Sequence, residues 1–464
     1  MKKIILISIL IIFSNSIWSQ DVTGTWNGEL KVQGMQLRLI FHIFNDNGNY
    51  TATMDSPDQG AKDIKMSKTN FDNGQLNIKF DAAQIDYSGS LIGDCIIGTF
   101  KQGGMTLPLN LFRNEIKKVE LKRPQNPSLP YPYYYEDVYF TNKKDSIVLA
   151  GTLTLPKKEG KFPVVVLISG SGPQNRDEEL MGHKPFLVLA DYLTRNGIGV
   201  LRFDDRGTNL SQGDFSNATS FDFANDVEAA VEYLKLDQHV DIKNIGLIGH
   251  SEGGIIAPIV AERNKSVAFI VLMAGTGIPG NELLLRQQEL IAKNMGTNES
   301  VIKSSLKINN AIFDLVKSYK NQDTLRTKIR NYLNSSTEVS QLLNNQAKST
   351  EELINAQVKQ ITTPWMLNFI QYNPALILEK TQCPLLAING NKDLQVPSNE
   401  NLTAIEKALK KGGNKNFTIK ELNGLNHLFQ ECKTGLPNEY AKIEQTISPV
   451  ALETIMEWVK KTIK

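Results

Sequence analysis

From Gln20 to about Asn114 apolar and polar residues alternate in short runs. Trp26-Asn-Gly-Glu-Leu-Lys-Val32, Leu37-Arg-Leu-Ile-Phe-His-Ile-Phe44 and Leu76-Asn-Ile-Lys-Phe80 fit half-buried strands. Asn47-Gly48, Asn73-Gly74 and Gly103-Gly104 punctuate them as turn dipeptides. The pattern predicts a small all-β N-terminal domain over residues 20–114, an antiparallel barrel or sandwich. Residues 115–135 form a linker rich in charge, Pro and Tyr, in which proline enforces an extended backbone.

Beyond it the period changes. Apolar runs at Ser146–Leu155, Phe162–Ser169, Gly199–Phe203, Ile245–Gly249, Ala268–Ala274, Pro384–Asn389 and Phe417–Leu422 read as strands. Helical patterns intervene at Pro185–Thr194, Phe221–Leu236, Gly254–Arg263, Asn399–Lys410 and Val450–Lys461. That alternation predicts an α/β domain over residues 136–464, with a mostly parallel, doubly wound sheet covered on both faces. Ser448-Pro449 supplies a cap and a first-turn proline for the last helix. Residues 281–380 break the alternation with one glycine, two prolines and repeated helical runs, and predict a helical cap. Phe313, Trp365, Met366 and Phe369 are its candidates for lining an acyl pocket, although core packing is the ordinary fate of such side chains.

Gly249-His-Ser-Glu-Gly253 follows the apolar strand Asn244–Ile248 and opens a helix. A serine on so sharp a strand-to-helix turn projects its hydroxyl out of the sheet, and small neighbours are needed where the backbone is crowded. Ser251 is therefore the candidate nucleophile. Of the five histidines, His42 lies in the β-rich region, His183 and His239 at helix–loop junctions, and His250 inside the turn, facing away from the serine. His427, on the loop after the last strand, is the candidate base. Asp393, on the loop after the preceding strand, would fix its tautomer and stabilise its protonated form. The backbone amide of Glu252 and a second amide from the glycine-rich loop after Ile168, at Ser171 or Gly172, are the expected oxyanion donors.

With Gly170-Ser-Gly-Pro-Gln-Asn-Arg-Asp177, Phe203-Asp-Asp-Arg-Gly207, Asn389-Gly-Asn-Lys-Asp-Leu-Gln-Val-Pro397 and Leu425-Asn-His-Leu-Phe429, the chain resembles the α/β-hydrolase superfamily. More narrowly it is similar to bacterial esterases and serine-aminopeptidase-like hydrolases with an N-terminal β-rich extension. The resemblance covers about residue 130 to the end, and implies the α/β-hydrolase fold and the order Ser251, Asp393, His427. Ser169 stands where such proteins commonly carry a histidine, and Asn209 where they tend to carry a second glycine. In Asp204-Asp205-Arg206-Gly207 an ion pair bracing the loop is favoured over a substrate-carboxylate site at Arg206, and Arg176 and Asp177 are read alike.

A chain of 464 residues exceeds what one core serves. With 51 basic and 49 acidic residues and no basic stripe, nucleic-acid binding has no support. Met-Lys-Lys, the apolar run Ile4–Phe13 and a small-residue exit describe a secretory signal over residues 1–19, too short to span a bilayer. Export to the periplasm or exterior, with no stable membrane insertion afterwards, is expected. Cys95, Cys383 and Cys432 are too few for a disulfide framework. A Cys383–Cys432 bridge is geometrically conceivable, but buried free thiols are favoured. No metal-ligand spacing recurs, and no cofactor is implied. The reading is an exported serine hydrolase cleaving a small-molecule carboxylic ester. A peptidase or amidase with the same chemistry is the alternative, and a non-catalytic binding protein retaining the fold is the third reading.

Overall fold

The computed structural model describes residues 21–32, 35–59, 61–102, 105–117, 122–342 and 347–463. The expected secretory segment and the Gly103-Gly104 turn lie outside them. The chain divides into two compact units, residues 1–119 and 120–464.

In the first unit all described strands pair antiparallel in one sheet. Asn47 and Gly48 have φ of 51° and 89°, and Asn73 and Gly74 have 48° and 75°. Two successive left-handed residues give the turn whose twist matches that of the strands it joins, which is why Asn-Gly stands at both hairpins. Trp26, Phe41 and Tyr87 are buried on the inner face, where Trp26 Nε1 donates to the Val22 carbonyl at 2.7 Å.

The second unit is an eight-stranded sheet: β1 (Tyr134–Asn142), β2 (Ile147–Leu155), β3 (Phe162–Ile168), β4 (Gly199–Phe203), β5 (Val240–His250), β6 (Val267–Met273), β7 (Leu385–Gly390) and β8 (Phe417–Leu422). They lie side by side in the order β1-β2-β4-β3-β5-β6-β7-β8. Pairing is antiparallel at β1–β2 and β2–β4 and parallel from β4 to β8. This is the α/β-hydrolase architecture expected from the sequence. Val164, Val165 and Val166 are fully buried because helices cover both faces of the central strands.

The helices are α1 (Pro185–Arg195), α2 (Ser220–Leu234), α3 (Gly253–Arg263), α11 (Ser398–Lys411) and α12 (Pro449–Thr462), with α4–α10 between β6 and β7. These seven described helices occupy Gly280–Leu378 and bury Ile312, Phe313, Ile329 and Ile370 in a cluster of their own. At the start of helix α2 the Thr219 amide and hydroxyl both donate to Asp222 Oδ2, at 2.8 and 2.7 Å. Ser448 stands at the N-cap of α12 as expected, but its hydroxyl turns to Glu431 Oε1 instead of the helix amides. Proline at the first turn still starts that helix.

Candidate active site

Strand β5 ends at His250, and Ser251 takes a left-handed backbone with φ of 52° before α3 begins. The reversal is too tight for side chains around it. A Cβ on Gly249 would lie 2.0 Å from the Gly253 carbonyl oxygen, and one on Gly253 would lie 2.2 Å from the Ile168 carbonyl oxygen. The glycines of Gly-His-Ser-Glu-Gly are thus demanded by backbone contact between β5, α3 and β3. The Ser251 amide donates to the Met273 carbonyl at 2.8 Å, tying the turn to β6.

Asp393 and His427 come from the loops after β7 and β8, and the structure brings them together. His427 Nδ1 lies 2.8 Å from Asp393 Oδ2, with both side chains buried. Asp393 Oδ1 accepts the amides of Gln395 at 2.8 Å and Val396 at 2.9 Å, which fixes the carboxylate. An ionised Asp393 requires the hydrogen on Nδ1, leaving Nε2 as the basic nitrogen. The His427 loop is held from within, because Asn426 Oδ1 accepts the amides of Leu428 and Gln430, each at 3.0 Å. Among the described residues no hydrogen bond joins the Ser251 hydroxyl to the His427 ring. Such contacts commonly tighten only when substrate is bound.

Ser251 lines a cavity of about 70 Å³ together with Ser171, Glu252, Thr276, Trp365 and Phe369. The expected oxyanion residues thus divide: Ser171 and Glu252 face this cavity, whereas Gly172 lines a separate pocket with Asp205 and Ile256. Among the described residues no hydrogen bond engages the Ser171 or Glu252 amide. The Glu252 side chain is buried, and its Oε1 accepts from Ser220 Oγ at 2.6 Å and Trp365 Nε1 at 2.7 Å. Burial raises its carboxyl pKa against those two bonds. Of the aromatic candidates, Trp365 and Phe369 reach the cavity with rings stacked 5.0 Å apart. Phe313 and Met366 pack into the helical cluster instead.

The charged loop after β4 is a brace. Buried Arg206 pairs with Asp226 and Asp145, each at 2.7 Å, and Arg176 grips Asp204 at 2.8 Å. Asp177 pairs with Arg202. Asp205 accepts Ser169 Oγ at 2.6 Å and the Gln174 amide at 2.9 Å. Burial pushes its pKa up to about 8 despite those bonds.

Several side chains near the site carried no signal in the sequence. His250 does not simply face away from the chemistry; its ring packs 4.9 Å from that of His427, with Glu178 on its other side. His183 is fully buried against Thr446 and the Tyr440 carbonyl, and burial lowers its pKa to about 4. Gln430 of the His427 loop reaches the His183 Nε2 at 3.1 Å. The three cysteines are free thiols. Among the described residues no cluster of His, Cys, Asp and Glu could hold a metal, and no helix is long and apolar enough to cross a membrane.

The model of the family described as serine aminopeptidase, S33, matches residues 184–431. Esterase EstD from Thermotoga maritima is 25% identical over 401 residues, 86% of this chain and 82% of that protein. The uncharacterized peptidase YuxL from Bacillus subtilis is 23% identical over 282 residues, 45% of this chain and 42% of that protein. Among solved structures, the chain is similar to the Pyrococcus furiosus esterase Pf2001, with a TM-score of 0.42 at 16% identity, covering 74% of this chain and 96% of that one. It is likewise similar to the α/β-hydrolase GrgF from Penicillium, with a TM-score of 0.44 at 17% identity, covering 71% and 99%.

Proposed function

Because the chain belongs to the serine aminopeptidase S33 family, we propose that this serine hydrolase is exported and cleaves carboxylic esters through an acyl-enzyme formed on Ser251. The observation carrying the proposal is the buried 2.8 Å Asp393–His427 pair, and Ser251 is held on a left-handed turn at the end of β5. His427 Nε2 takes the proton from the Ser251 hydroxyl as its oxygen attacks the ester carbonyl. The amides of Glu252 and Ser171 receive the oxyanion. His427 then returns the proton to the leaving alcohol, and a water activated by the same nitrogen releases the acid. No step needs a cofactor.

Two observations favour an ester over a peptide. Esterase EstD aligns with most of this chain. The acidic side chain on the cavity wall, Glu252, is committed to Ser220 and Trp365, so it is not free to grip a substrate α-amine. The cavity of about 70 Å³ suits a short acyl group. Helices α4–α10 serve as a cap, a reading supported by Trp365 and Phe369 reaching the wall of the Ser251 cavity. The Lys2-Lys3 pair and the apolar run Ile4–Phe13 support export.

Ser251→Ala tests the chemistry. The expected loss in p-nitrophenyl butyrate turnover is at least about 10⁴-fold. Turnover at the wild-type rate would end the proposal. Rates on an aminoacyl p-nitroanilide beside p-nitrophenyl butyrate test the substrate class, and a higher kcat/KM on the anilide would move the assignment to a peptidase.

A further inference from the structure

The catalytic scheme above leaves a second carboxylate–histidine pair unused. Glu178 lies eight residues beyond Gly170 on the loop after β3, and His250 immediately precedes Ser251. Glu178 Oε1 accepts two hydrogen bonds, from the Gly170 amide at 2.7 Å and from His250 Nδ1 at 2.8 Å. On the far side of the ring, His250 Nε2 lies 3.0 Å from the carbonyl oxygen of His427. A carbonyl oxygen only accepts, so Nε2 carries hydrogen. Glu178 Oε1, which also takes the Gly170 amide, lies on the Nδ1 side of the ring, so a carboxyl and a carbonyl hold His250 at both of its nitrogens. Burial works to lower the His250 pKa, but the Glu178 charge and the two hydrogen bonds outweigh it, and the net direction is up.

This pair joins three chain segments. Through Gly170 it holds the loop that carries Ser171. Through the His250 backbone it is continuous with Ser251. Through the His427 carbonyl it holds the loop that carries the base. Glu178 reaches this position from a left-handed backbone, with φ of 50°, which is unfavourable for a residue with a side chain. A Cβ on Gly170 would sit 3.3 Å from both Ser251 Cβ and Glu178 Oε1, so the glycine loop is pressed close against the nucleophile and its brace.

We propose that Glu178 and His250 are positioning residues that fix the Ser171 loop and the His427 loop to the residue before Ser251. The inference rests on the catalytic roles proposed above. A displacement of about 1 Å at an oxyanion donor or base costs on the order of 10²-fold in rate. Substrate affinity depends on the cavity walls instead, so the loss falls on kcat and leaves KM nearly unchanged.

Steady-state kinetics on p-nitrophenyl butyrate, with thermal melts of the full chain, test this in Glu178→Ala, Glu178→Gln and Ser251→Ala. Folded Glu178→Ala is expected to lose about 10²-fold in kcat with KM within about threefold of wild type. Glu178→Gln, whose amide oxygen still accepts the Gly170 and Nδ1 hydrogens, is expected to recover part of that loss. If Glu178→Ala does not fold, the near-isosteric Glu178→Gln decides, with a kcat several-fold below wild type expected. Folded Glu178 variants with wild-type kcat, or with the whole loss in KM, overturn the inference. Inactive Ser251→Ala beside fully active Glu178 variants removes this inference alone, whereas active Ser251→Ala removes the catalytic reading and this inference with it.

Discussion

Two acid–histidine pairs lie within a ring contact of each other, and in both an Nδ1–oxygen distance of 2.8 Å joins the partners. They differ at the other nitrogen. His250 Nε2 is occupied by the His427 carbonyl. His427 Nε2 has no hydrogen-bond partner among the described residues. The same pairing therefore yields a brace in one case and, in the proposed mechanism, a base in the other. What separates them is where the second nitrogen ends, since a base needs a vacant lone pair beside the nucleophile.

The largest effect should come from the Asp393 pair. Asp393→Asn keeps the geometry but favours the wrong tautomer of His427, and kcat on p-nitrophenyl butyrate is expected to fall by about 10⁴-fold. A fall of less than about tenfold would mean that the pair does not act as orienter and base. Next comes His250→Asn, which removes the bond to the His427 carbonyl and leaves at most a weakened one to Glu178; kcat should drop by about 10²-fold with KM nearly unchanged. Because Glu178 and His250 act as one unit, the double variant with Glu178→Ala should be little worse than either single change. Full additivity in that cycle would break the brace into two unrelated contacts.

Smaller again is Trp365→Phe, which deletes the hydrogen bond from Nε1 to Glu252 while keeping most of the ring. About 1–3 kcal/mol of stability should be lost, read as a lower melting temperature. An unchanged melting temperature would show that this link contributes nothing.

A further prediction separates pH regimes. With the Asp205 pKa pushed up by burial to about 8, the folded state retains a proton that the unfolded state loses near the usual carboxylate value of 3.8. Between those values the native state binds more protons than the unfolded state, so this group's contribution to stability falls as pH rises. Asp205→Asn removes that dependence. Its melting temperature should improve relative to wild type between about pH 5 and about pH 9. A constant difference across that range would show that Asp205 ionises normally.

Much of the sheet was legible because central strands are continuous apolar runs and helices bury one stripe. Gly199–Phe203 and Phe417–Leu422 have the bounds their patterns predict. Edge elements were less legible. Strand β1, Tyr134–Asn142, was not among the runs read as strands; it begins inside the Pro- and Tyr-rich stretch read as a linker, and its first residues are only partly covered. Strand β5 begins at Val240 instead of Ile245, because Asp241, Lys243 and Asn244 interrupt the apolar run. Ser251, Asp393 and His427 could be picked out as candidates because each follows a recognisable strand and the family resemblance implies their order, and the structure brings Asp393 and His427 into contact. Glu178 and His250 meet across 72 positions through loop geometry that has no period to read. Trp365 and Glu252 meet across 113 positions, and neither local pattern announces the other.

Labelling with a fluorophosphonate probe, located by mass spectrometry and timed, tests most directly which histidine activates Ser251. A single adduct on Ser251 is predicted in wild type. Labelling should be nearly abolished in His427→Ala, whereas in His250→Asn it should be slowed but remain at the same residue. Wild-type labelling of Ser251 in His427→Ala, with none in His250→Asn, would contradict the account.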